Sequence, residues 1–137
     1  MKELDVCLEL YIKGKSIDEK IEEINALLYS PKVQDLSGMP KGNGGTESIV
    51  DKLVEKKEKL TNERYEIEKQ KFHCRQEIVT MMKECNLTEN EILLIKYRFF
   101  YGLSWKRVGK ELSWNENKVF RVYRKINTVL SEYVTKL

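Results

Sequence analysis

Nine basic side chains fall within thirty residues of this 137-residue chain: Lys96, Arg98, Lys106, Arg107, Lys110, Lys118, Arg121, Arg124 and Lys125. Only Glu111 and Glu116 oppose them. A local excess of this size attracts a polyanion. The residue types also suit a polyanion that carries bases. Arg offers a planar fork that takes guanine O6 and N7 together, Asn matches adenine N6 and N7, and Lys or Arg at a helix start reaches phosphate. At about 100° per residue the stretch from 115 to 135 divides cleanly. Val119, Val122, Ile126, Val129, Leu130 and Tyr133 share one side. Asn117, Arg121, Arg124 and Thr128 lie opposite, flanked by Lys118 and Lys125. The candidate DNA-contacting residues are therefore Lys106, Arg107, Asn115, Asn117, Lys118, Arg121, Arg124 and Lys125, with the 115–135 helix as the reader of the major groove.

Other chemistry is poorly supplied. His73 is the only histidine. No Ser/His/Asp or Cys/His set and no metal-ligand spacing can be assembled around it, so an enzyme is not expected and no cofactor is implied. The GNGG run at 42–45 follows no strand and precedes no Gly-Lys-Ser/Thr, so it reads as a connector and not as a phosphate cradle. Cys7, Cys74 and Cys85 are odd in number and include no C-x-x-C. A disulfide is not expected from them, and Cys7 and Cys74 sit on apolar helical stripes where a free thiol acts as a small hydrophobe.

The elements that would position the basic row are all helical. Prolines number two and glycines seven, and no strand-rich pattern with regular turns is present. Residues 2–29 repeat apolar positions at seven: Leu10, Ile17 and Ile24 in one row, Cys7, Ile21 and Leu28 in another, with Gly14 inside it. Ser16 and Glu19 are spaced as a capping box, which predicts a break near Gly14. Pro31, Pro40 and four glycines make 30–45 a loop. Residues 46–86 then carry Leu53, Leu60, Ile67, Cys74 and Met81 in an unbroken seven-residue row. That second helix outlasts the first, so its excess must pack on the C-terminal half or on another copy of the chain. A homodimer through the N-terminal helices is the expectation. No stretch approaches the roughly 18 apolar residues of a membrane span. The opening MKELDVCLEL holds acids and no A-x-A-like cleavage site, which with the thiols points to the cytoplasm.

Charge divides the chain as well. Residues 1–87 carry 15 Lys/Arg against 17 Asp/Glu, whereas 88–137 carry 10 against 5 and nine of the 13 aromatics. The expected fold is all-α. A long, coiled-coil-like helical hairpin occupies 1–86, and a three-helix DNA-binding domain occupies 87–137. In the latter, Thr88 and Glu91 form a capping box, Ile92, Leu93, Ile95, Phe99 and Phe100 give an apolar face, and Gly102 ends the first helix. Ser104 caps a second helix that runs to about Leu112, and Asn115 caps the third. Gly109 supplies a small residue where the third helix crosses the second, with Val119 ten residues later and Val122 three further on. This is the spacing of a helix-turn-helix.

At these residues the chain resembles region 4 of sigma factors and the sigma-like helix-turn-helix of related regulators. The stretch is LTENEILLIKYRFFYGLSWKRVGKELSWNENKVFRVYRKINTVL, Leu87 to Leu130, about a third of the chain. The wider arrangement is similar to phage and prophage transcriptional regulators of Gram-positive bacteria, of the late-transcription or autolysin-regulator type. These share an N-terminal helical hairpin, a Ser-Gly-Met-Pro loop (here Ser37-Gly38-Met39-Pro40, then Lys41-Gly42) and a terminal sigma-like reader. The resemblance implies sequence-specific, promoter-proximal binding of double-stranded DNA that influences a phage gene block, either together with RNA polymerase or by occupying DNA. This chain has Arg107-Val108-Gly109 where that reader is usually acidic-Ile-Ala. No aromatic-rich, strand-melting helix is present, so opening a promoter unaided is not expected. Two other readings compete: a small-terminase-like phage packaging protein, and a module that binds polymerase or another protein through Trp105, Trp114 and Phe120.

Overall fold

The heptad rows and the capping residues predict helices where the structure has them, to within a few residues at the described ends. The structure, a computed structural model, describes residues 1–30 and 48–137. The fold is all-α: α1 (Lys2–Leu28), α2 (Ile49–Glu84), α3 (Glu89–Ile95), α4 (Trp105–Leu112) and α5 (Glu116–Thr135). Lys96–Phe100 continues α3 as a π-helical turn. No strand occurs among the described residues. The loop expected over 30–45, with its Ser-Gly-Met-Pro motif and GNGG run, lies outside the described residues apart from Ser30. No helix among the described residues is long and apolar enough to cross a membrane.

The chain forms two compact units, one of Lys13–Glu68 and one that joins Met1–Ile12 to Lys69–Leu137. In the first, α1 and α2 pair antiparallel, because rising numbers on one meet falling numbers on the other. Gly14 lies against Ile67, and Asp18 accepts from Arg64. Ile17, Ile24, Leu60 and Ile67 are the buried seam, each contributing about 1.5–3 kcal/mol when fully removed from water. The Asp18 bond pushes the Arg64 guanidinium above its ordinary value. The break expected near Gly14 is absent, since α1 runs unbroken through it. Gly14 is buried, and a Cβ built there would stand 3.4 Å from Ile67 Cγ2. That distance is ordinary contact, so it is the buried seam on either side, Ile17 and Ile67 among it, that keeps α1 continuous against the roughly 1 kcal/mol propensity cost of a helical glycine.

In the second unit the first turns of α1 and the last turns of α2 join the core of the C-terminal helices. Leu4, Cys7, Ile78 and Met82 are buried in one cluster with Leu94, Ile95, Phe99, Phe100, Val108, Val119, Ile126 and Leu130. The Met1 amine donates to Asn127 Oδ1 at 2.9 Å. The last turns of α2 pack on the C-terminal half, one of the two destinations expected for its excess length. Packing thus divides the chain elsewhere than the change of composition at 87, because Leu4, Ile78 and Met82 bury with the aromatic half.

Cys7 and Cys74 correct another expectation. They are paired as a disulfide, with Cα atoms 6.1 Å apart, within the span that a disulfide bridges. The two seam rows that bury each thiol also bring them face to face. Cys85 is free.

Thr88 caps α3 as expected: its hydroxyl accepts from Glu91 N at 3.3 Å, and Glu91 Oε1 accepts from Thr88 N at 2.9 Å. The π turn closes with Tyr101 N donating to Lys96 O at 3.0 Å. Gly102 follows with φ +66°, and a side chain there would strike the Tyr11 ring. Arg75 holds this corner from α2, donating to the Phe100 carbonyl and lying 5.2 Å from the Phe100 ring centre and 5.8 Å from that of Tyr101.

Candidate nucleic-acid interface

Two short-range devices orient α4 and α5. Ser104 Oγ accepts from Arg107 N at 3.2 Å and starts α4. Asn115 Oδ1 accepts from Lys118 N at 2.8 Å and starts α5. Between them Ser113 takes a left-handed conformation, φ 59° and ψ 37°, and Trp114 N donates to Gly109 O at 2.8 Å. A Cβ on Gly109 would lie 2.8 Å from the Trp114 carbonyl oxygen and 3.4 Å from Val119 Cγ2. The close approach is to the turn, whose Trp114 carbonyl would have to shift for a Cβ, while Val119 of α5 stands at ordinary contact distance; the small residue stands at the position expected for it.

The division of α5 by angle is reproduced in its burial. Val119, Ile126 and Leu130 are fully buried, with Val122 and Tyr133 half-buried beside them. Asn117, Arg121, Arg124, Lys125 and Thr128 are exposed. Among the described residues the side chains of Asn117, Arg121, Arg124 and Lys125 enter no ion pair. Thr128 turns its hydroxyl back to the Arg124 carbonyl at 3.0 Å.

The other candidates carry prior engagements. Arg107 Nε donates to Glu111 Oε1 at 3.0 Å, an exposed pair one turn apart on α4. Lys118 is half-buried, its ammonium 4.6 Å from the centre of the Trp114 ring. The Asn115 oxygen serves as a cap, which leaves its amide hydrogens available. Lys106 is exposed at the start of α4. The structure thus gathers Asn117, Arg121, Arg124 and Lys125 on one side of one helix, while Arg107, Asn115 and Lys118 each also hold local structure.

Arg98 has a structural task that its spacing does not reveal. It donates from Nη1 to the Leu103 carbonyl at 2.9 Å and stands 5.0 Å from the Trp105 ring centre. Trp105 in turn meets Phe99 edge-on at 6.1 Å, Phe120 at 5.3 Å and Tyr123 at 4.8 Å. This aromatic set ties the start of α4 to α5. The one sequence signal for it is an Arg set between Tyr97 and Phe99. Trp105, Trp114 and Phe120 are half-buried. Burial pushes the Tyr123 hydroxyl above its ordinary range, Asp5 adds to the shift and Arg98 opposes it.

Among the described residues no three His, Cys, Asp or Glu side chains are grouped so as to hold a metal ion. His73 is exposed and pairs with Glu77 at 3.1 Å. No protein-family model, curated protein or solved structure matches the chain.

Proposed function

We propose that the chain is a sequence-specific regulator of transcription of phage or prophage origin, binding double-stranded DNA through a helix-turn-helix made of α4 and α5. The observation that carries this reading is the exposed row Asn117, Arg121, Arg124 and Lys125, set opposite the buried face of a helix whose entry is fixed by a tight turn over Gly109. A helix of 20 residues spans about 30 Å, and the major groove admits one helix with its side chains.

In this reading Arg121 and Asn117 address base edges. Arg124, Lys125 and Lys118 meet the flanking backbone. Lys106 and the amide of Asn115 take phosphate at the helix starts, where backbone N–H groups already favour an anion. Arg107 reaches phosphate by leaving Glu111, a small loss because exposed pairs of this kind are worth about 0.3–0.5 kcal/mol. The protein acts by occupying DNA and by contact with RNA polymerase, without catalysis and without a cofactor, in the cytoplasm. A homodimer joined through α1 and α2 would place two such readers on paired half-sites.

The test is capture of fragments of the parent genome by the full chain at near-physiological salt, followed by sequencing. Salt matters because phosphate contacts alone bind any sequence when it is low. Enrichment immediately upstream of a transcription start is the expected result. Enrichment at a packaging start would replace the reading with a terminase-like role. Absence of enrichment over bulk DNA would overturn direct reading of bases.

A further inference from the structure

The Cys7–Cys74 pair has a partner for each of its two oxidation states. Joined, the sulfurs link α1 to α2 across Cα atoms 6.1 Å apart. In this linked state Cys74 Sγ lies 3.6 Å from the Glu3 carbonyl oxygen, an acceptor within reach of the thiol hydrogen that reduction would create. The two cysteines also differ in access: Cys7 is 1% exposed and Cys74 9%. Cys74 lines an open groove of about 410 Å³, together with the apolar Val6 and Leu10 and the polar Lys2, Glu3, Gln70, His73 and Glu77. Beside Val6 and Leu10 the groove offers the Lys2 ammonium and the Glu3 and Glu77 carboxylates, the last already paired with His73, a lining that suits a small molecule with a short aliphatic body and both signs of charge.

We propose that Cys7–Cys74 is a reversible thiol–disulfide exchange site, entered at Cys74 from this groove by a low-molecular-weight zwitterionic thiol or its disulfide. In the reducing direction the small thiolate attacks the Cys74 sulfur. The bond from Cys74 to Cys7 breaks, and Cys7 leaves as a thiolate that takes up a proton. A second small thiolate then attacks the small-molecule sulfur of the mixed disulfide. Cys74 leaves as a thiolate and is protonated, which frees its thiol to bond to Glu3, and the small-molecule disulfide departs. Two protein sulfurs are reduced and two small thiols are oxidised. The oxidising direction is the reverse, with the small-molecule disulfide as electron acceptor. Exchange rates follow thiolate fraction and access. Cys85 is disadvantaged, since burial and the neighbouring Glu84 both push its thiol up.

The site bears on the fold because it ties Met1–Ile12 to the rest of its unit across a sequence separation of 67 residues. Closing a loop of that order raises the melting midpoint by roughly 10 °C for a domain of this size.

The full chain, equilibrated in glutathione buffers of graded oxidation, acid-quenched, alkylated and peptide-mapped, tests the proposal. The expected result is reversible interconversion of a linked Cys7–Cys74 peptide and two free thiols, with the melting midpoint following the linked fraction. Cys7→Ser should collect a glutathione adduct on Cys74, and Cys74→Ser should leave Cys7 unmodified. A wild-type chain that keeps both thiols free in fully oxidised glutathione would overturn the exchange site. Equal adducts in the two variants would overturn entry through the groove. Should either variant lose its helical circular dichroism, the wild-type time course decides instead: the transient mixed disulfide must map to Cys74, and one on Cys7 would refute the assignment.

Discussion

Each polar residue of α4 and α5 has a distinct set of competing partners, and that competition decides what its removal should do. Arg121 is exposed on the side opposite Val119 and Ile126. Arg121→Ala should therefore leave the melting midpoint unchanged and weaken binding to the preferred site by about 1–3 kcal/mol, with little loss on random DNA. Equal losses on both, in titrations at one salt concentration, would remove it from base reading. Lys106→Ala should instead weaken all sequences alike and reduce the salt slope by about one. Asn115 is the discriminating case, because its oxygen already accepts from Lys118 N at 2.8 Å. Asn115→Asp preserves the cap, so thermal stability should hold within about 0.5 kcal/mol, whereas Asn115→Ala should lose about 1 kcal/mol. If its amide also meets phosphate, Asn115→Asp should bind DNA more weakly despite that intact stability. Unchanged affinity would confine Asn115 to capping.

At the scale of elements, the α4–α5 pair was legible because its determinants are local: Ser104 and Asn115 as caps, Gly109 as the small residue, and period-3.6 patterning on α5. Gly109 yields the sharpest expectation. A Cβ 2.8 Å from a backbone carbonyl cannot be relieved by turning a side chain. Gly109→Ala should thus destabilise the unit by about 1–3 kcal/mol, read as a lower urea midpoint, and a midpoint equal to wild type would contradict the close approach. Features set by packing were less legible. The π turn at Lys96–Phe100 has no sequence signature; it places Phe99 and Phe100 in the core together with Leu94 and Ile95. The expected break at Gly14 failed because capping patterns cannot see Ile67 across the seam. Tyr123, in the aromatic set between α3, α4 and α5, ties this packing to pH. Its hydroxyl is raised chiefly by burial, so the folded state favours the neutral phenol. That contribution is fully present below the unfolded value near 10 and is lost as pH rises through the folded one. Urea midpoints should fall above about pH 10, and fall less steeply in Tyr123→Phe. Identical alkaline profiles would exclude Tyr123 as the source.

Over the whole molecule, charge and packing follow different boundaries. Charge changes character at about 87, where the sequence turns basic and aromatic. Packing instead binds Met1–Ile12 and Lys69–Leu137 into one unit. The pairing of Cys7 with Cys74 was hidden for a related reason: each thiol alone reads as a small hydrophobe, and only the antiparallel register of α1 and α2 brings the two together. The same register carries Leu4, Ile78 and Met82 into contact with the C-terminal core. A fragment of 87–137 retains every candidate DNA contact yet loses those three apolar side chains, the Arg75 hold on Phe100 and the Met1 bond to Asn127. Loss of a buried Leu, Ile or Met costs about 2–5 kcal/mol each, comparable in sum to the total stability of a small domain. The fragment should therefore show a broad, weakly cooperative melt and bind DNA with a salt slope like that of the full chain but with reduced site preference. Restoring residues 1–86, as in the full chain, should restore a sharp transition. A fragment that melts as cooperatively as the full chain would show that the basic, aromatic segment is an independent domain, and that α1 and α2 serve it only as an attachment.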